Sequence, residues 1–130
     1  TEEDLAANYA DYFVYEMDET IHGCVALHDL GEGVGELAAL AVDRAFEELG
    51  IARKLVDFTK EEAARQSYDR LVALTTRAGD WFLKQGFVPG SIEDLPAVKR
   101  HRYDFGRRSR VFVFKVADAD VVSANRATRA

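Results

Sequence analysis

The sequence predicts an α/β fold of the layered α+β kind, and three observations carry that expectation. Arg110 to Val116, RVFVFKV, is the strongest strand signal in the chain. Ile51, Ala52, Leu55, Val56, Thr59 and Ala63 recur at helical spacing, while Arg53, Lys54, Asp57, Lys60 and Glu61 face away. Val34 to Val42 is almost wholly apolar after Glu36, as expected of a central strand covered on both faces.

The elements follow in order. Thr1 to Ala7 reads as a short helix end or a frayed terminus. Tyr9 to Glu16 is aromatic and β-branched and predicts a strand. Asp18-Glu19 turns the chain, and Ile21 to Leu30 is a second strand pairing back on the first. Gly31-Glu32-Gly33 makes the next turn into the central strand. Arg70 to Thr75 is a short buried strand. Ala78 to Gln85 is a second helix, closed by Gly86 where a left-handed cap is favoured. Phe87-Val88 begins another strand that Pro89-Gly90 interrupts, and Ser91 to Pro96 is a turn or short helical piece. The chain past the last strand, residues 117–130, is a polar tail, so residues 1–130 form a single domain.

Composition narrows the function. The chain has 130 residues, 48% hydrophobic and 31% charged, the balance of one globular domain. A net charge of −6 argues against nucleic acid as a partner. The single Cys24 excludes an internal disulfide and fits a reducing, cytoplasmic compartment. Its apolar setting reads as a buried structural thiol. His22, His28 and His101 show no metal-ligand spacing, so no metal is expected. No apolar run approaches the roughly 20 residues of a membrane span, so no membrane partner is expected.

Chemistry concentrates in two blocks. In Gly35 to Arg53, GELAALAVDRAFEELGIAR, a strand runs through a charged loop onto a helix that opens at Gly50-Ile51-Ala52. Small residues at such a helix start leave unpaired N–H groups and the positive end of the helix dipole pointing one way, which suits a pyrophosphate. The second block is Leu74 to Phe87, LTTRAGDWFLKQGF. The two blocks together, with LPAVKRHRYDFGRRSRVFVF after them, resemble the GNAT acetyltransferases. Within that family the run is similar to the acetyltransferase domain of the N-acetylglutamate synthases, over roughly Tyr12 to Val116. The resemblance implies a GNAT fold, a mixed and mostly antiparallel central sheet with helices on both faces. The strand and two helices that open the family's domain are missing here, or represented only by Thr1 to Ala7.

It further implies acetyl-CoA as co-substrate, no metal, and transfer of acetyl to the α-amine of L-glutamate by direct attack, the first step of arginine biosynthesis. A small amino acid is thus the expected partner, and a homo-oligomer stays open. Glu36 corresponds to the family's base, although the residues alone equally describe an exposed strand-end carboxylate. The backbone of Leu40, Ala41 and Val42 would pair with the pantetheine arm like an added strand. The phosphate loop falls on Glu47, Glu48, Leu49, Gly50, Ile51 and Ala52, with Arg53 following. Glu47 departs from the family's Arg or Gln, which Arg44, Arg53 and Lys54 would offset. Thr76 and Arg77 end a strand where the family's sheet opens, and would meet the acceptor carboxylate; the other reading is that Thr76 merely caps the next helix. Ala78 stands where relatives often carry a hydroxyl, which passes the proton-donor role to Tyr103, ahead of Ser109 or water. Arg107 and Ser109 match an Arg-x-Ser pair that holds glutamate carboxylates, whereas Trp81 and Phe82 read as core. Two further readings remain: a GNAT enzyme acting on another amine or a protein N-terminus, and a non-catalytic, acetyl-CoA-binding regulatory module.

Overall fold

The computed structural model of the chain describes residues 11–100 and 109–116, without the side chains of Glu47, Glu48 and Val98. Tyr103, Arg107, Thr1 to Ala7 and the 117–130 tail lie outside the described residues.

Six strands form one sheet in the order β1-β2-β3-β4-β6-β5. They are β1 (Tyr12–Met17), β2 (Thr20–Gly31), β3 (Val34–Val42), β4 (Arg70–Thr75), β5 (Val88–Pro89) and β6 (Arg110–Lys115). All pairings are antiparallel except β3 with β4. The parallel pair needs a crossover, and α1 (Ile51–Arg65) supplies it. α2 (Gly79–Lys84) and the short α3 (Ala97–Arg100) follow β4 and β5.

Alternation along the strands sorts side chains onto two faces. Val25, Leu27, Leu37, Leu71, Ala73, Phe112 and Phe114 meet Ile51, Leu55, Val56 and Ala63 of α1 and Phe82 of α2 in the main core. The buried residues of α1 are Ile51, Leu55, Val56, Thr59 and Ala63, the stripe that helical spacing predicts. On the opposite face Val34, Val72, Val111 and Val113 pack against Leu95 and Ile92, from a single 3₁₀ turn over Ile92–Asp94. Glu36 alternates with Leu37, so it belongs to this second face.

Two irregularities break the ladder between β2 and β3. In β3, Cys24 pairs with Ala41 but Ala26 with Ala38, so an extra residue bulges there. Ala39 takes φ 53, a left-handed conformation unusual for alanine. In β2, His28 pairs with Glu36 but Gly31 with Val34, which makes a second bulge at Leu30.

Candidate active site

The β3–β4 ladder runs from Val34↔Arg70 to Leu37↔Ala73 and stops there, although both strands continue. β3 leaves its neighbour at the Ala39 bulge, and the gap becomes a cleft of about 340 Å³ lined by Leu40, Ala41, Val42, Ala52, Ala78 and Trp81. β3 is therefore not covered on both faces throughout: Ala39 and Ala41 are exposed. The sequence suggests otherwise because an apolar strand lining a cleft has the same composition as one lining a core.

The loop into the cleft is a 3₁₀ turn, Arg44–Leu49, whose first turn is capped by the Asp43 carboxylate accepting from Ala45 N–H at 3.1 Å. Asp43 is in turn held by its N–H donating to the His22 carbonyl at 2.7 Å. Gly50 follows at φ 73 and ψ 22 and starts α1. Among the described residues no side chain caps that helix start, and no acidic residue occupies its first turn. The N–H groups of Ile51, Ala52 and Arg53 keep their donor capacity there, with the helix dipole behind them. Among the described residues, a Cβ placed on Gly50 would meet nothing within 4 Å. This end of the cleft fits a phosphate group, and the apolar middle fits an uncharged arm. Ile51 contributes backbone alone, its side chain being 1% exposed. Leu49 and Arg53 are exposed beside it.

Three expectations about neighbouring residues change. Trp81 is only half-buried: its ring meets Phe82 edge-on at 5.1 Å and its remaining surface lines the cleft. Phe82 is core, as expected. Thr76 does not cap α2, whose N-cap Ala78 has no side-chain cap; the Thr75 hydroxyl closes the turn before it, accepting from Ala78 N–H at 2.9 Å and Arg77 N–H at 3.3 Å. That leaves Thr76 and Arg77 exposed past the end of β4. Lys54 is engaged with Tyr15, its ammonium 3.4 Å from the hydroxyl and 5.4 Å from the ring centre, and so is not held over the phosphate loop.

Glu36 stands one residue before the ladder opens, paired with His28 on one side and Val72 on the other. Burial pushes its carboxyl above the ordinary glutamate range, and the His28 imidazole pulls it partly back. A carboxylate of raised pKa is a better proton acceptor near neutral pH. The cleft opens on the α1 face and Glu36 lies on the other, so the mouth of the wedge separates the two. Ser109 is half-buried just ahead of β6. The structure thus brings Leu40, Ala41, Val42 and Ala52 to one cleft, with Gly50 at the start of the helix that carries Ala52 and Glu36 beside the vertex on the opposite face of the sheet.

A family profile for the acetyltransferase (GNAT) domain matches residues 8–89. The chain belongs to the GNAT acetyltransferase family. Its GNAT domain is 39% identical over 113 residues to an amino-acid acetyltransferase of Ralstonia nicotianae, covering 86% of this chain and 25% of that one. A Pseudomonas fluorescens protein of the same name is 34% identical over 109 residues, with 83% and 25% covered. The chain therefore spans about a quarter of the length of these relatives. Among solved structures, N-acetylglutamate synthase from Neisseria gonorrhoeae, complexed with coenzyme A and N-acetyl-glutamate, superimposes with a TM-score of 0.79 at 31% identity. That match covers 89% of this chain and 28% of the synthase chain. A GNAT acetyltransferase of Staphylococcus aureus Mu50 shares the fold, with a TM-score of 0.70 at 21% identity over 88% of this chain and 75% of that one.

Proposed function

We infer that this GNAT domain moves acetyl from acetyl-CoA to the α-amine of L-glutamate, the reaction that opens arginine biosynthesis, in the cytoplasm. The observation that carries the reading is the wedge between β3 and β4, with an uncapped helix start at Gly50 and a half-buried carboxylate beside its vertex. The likeness to the gonococcal synthase, bound to coenzyme A and N-acetyl-glutamate, supports the choice of both partners.

Acetyl-CoA supplies the thioester carbonyl that the amine attacks. Its diphosphate is met by the N–H groups of Ile51, Ala52 and Arg53, and its pantetheine amides by the open edge of Leu40, Ala41 and Val42. Leu49 and the backbone of Glu47 and Glu48 complete the loop around it. Trp81 and Ala78 wall the cleft opposite and exclude water. Glu36 takes the amine's proton, and Tyr103 is the first choice to return one to the departing thiolate. Thr76, Arg77, Arg107 and Ser109 receive the carboxylates of glutamate. The resemblance in sequence is the support for Arg107 and Tyr103.

Arg107→Lys tests the acceptor. It keeps the charge and loses the planar fork that grips a carboxylate with two bonds. The KM for glutamate should rise about tenfold or more, equivalent to roughly 1.4 kcal/mol, while the KM for acetyl-CoA stays within about twofold. Unchanged glutamate kinetics would remove Arg107 as the carboxylate contact, and no turnover of glutamate by the wild type would leave an acetyltransferase for another amine.

A further inference from the structure

One group beside the vertex has no part in that chemistry. His28 lies directly across from Glu36 in the β2–β3 ladder, and side chains so paired have Cβ atoms roughly 5 Å apart. On its other side His28 Nδ1 is 3.5 Å from the Asp11 carboxylate, and the Tyr12 ring meets the imidazole edge-on at 6.0 Å. The order across the sheet is therefore carboxylate, imidazole, carboxylate. It leads from half-buried Glu36 to Asp11, whose side chain is 62% exposed.

We propose that His28 is the positioning residue behind Glu36: it accepts the proton Glu36 has taken from the substrate amine and delivers it to water beside Asp11. The inference rests on Glu36 being the base. The amine N–H bond breaks as the Glu36 carboxylate takes the proton. The new carboxyl O–H then gives that proton to an imidazole nitrogen, restoring the carboxylate. The Asp11 carboxylate balances the imidazolium, which returns its proton to solvent at the exposed edge of β1. No co-reactant is consumed. The other groups facing this row leave the path clear. From β4, Val72 shares the row and Arg70 lies next along the same face, with its Nε donating to the Asp94 carbonyl at 3.0 Å. From β1 the neighbours are Asp11 and Tyr12.

Free imidazole in solution would not replace a merely structural histidine. His28→Gln fills similar space without a titrating group. It should lower kcat about tenfold, because Glu36 then has no proton acceptor behind it and must pass its proton to solvent directly. The KM for acetyl-CoA should stay within about twofold, and free imidazole should restore part of the turnover of His28→Ala. Wild-type turnover in His28→Gln, or no recovery of His28→Ala turnover on adding imidazole, would overturn the relay. If Glu36→Gln itself keeps full turnover, the base reading fails first. If Glu36→Gln is inactive and His28→Gln is not, the relay alone is wrong.

Discussion

Glu36→Gln should cost about 10²- to 10⁴-fold in kcat, the range expected for loss of a positioned general base, and yet make the protein harder to melt. The loss of turnover should fall on kcat with little change in either KM, because the carboxylate acts on the proton that leaves in the transition state. The stability effect has the opposite sign for an electrostatic reason. Burial holds the folded-state pKa of Glu36 above its ordinary value of 4.5. A carboxyl so shifted stabilises the fold fully below the unfolded-state value, and that contribution is lost as pH rises through the folded-state value. Glutamine is never ionised. Thermal denaturation should thus show Glu36→Gln above wild type near neutral pH, with the difference closing toward about pH 4. A variant both inactive and less stable at neutral pH would mean that Glu36 is a structural anchor, not a base kept partly dehydrated for chemistry.

Gly50→Val should weaken acetyl-CoA binding about tenfold, or roughly 1.4 kcal/mol. The cause is conformational, since a Cβ at Gly50 finds open space. At φ 73 a branched residue pays roughly 1–2 kcal/mol to stay left-handed. The strain is relieved by swinging the loop, which re-aims the N–H groups of Ile51, Ala52 and Arg53. Asparagine tolerates the left-handed region far better, so Gly50→Asn should keep most of the affinity. Calorimetric titration of the two variants separates this account from simple crowding, which would rank them by side-chain bulk and penalise both. Equal affinity of Gly50→Val and wild type would place the diphosphate elsewhere.

The strands and the helix that frame the cleft are legible in the sequence because their signals are local. The ranges of β3 and β4, the buried stripe of α1, and the Gly50-Ile51-Ala52 opening all come from residue types at short spacing. The less legible features depend on register. Counting back from the Gly31↔Val34 pair without a bulge sets His28 opposite Leu37, and only the bulge at Leu30 brings it to Glu36. Leu30 carries no mark of that role. Ala39 is silent for the same reason, since alanine has no preference for the φ of 53 that parts β3 from β4. Trp81 reads as core in the sequence because a half-buried ring on a helix shares the spacing of a buried one. Thr75 and Thr76 are neighbours of one type, so which hydroxyl closes the turn before α2 is settled by the direction in which β4 ends.

The central claim is that acetyl-CoA occupies the cleft between β3, α1 and α2, and the chain carries its own reporter there. Trp81 is the sole tryptophan and it lines that cleft. Its emission, excited selectively and followed as acetyl-CoA is added, should change saturably, and the midpoint should agree with the affinity from calorimetry. Gly50→Val should displace that midpoint by the same factor as in calorimetry. Heat of binding without any response from Trp81, or no binding at all, would contradict the account.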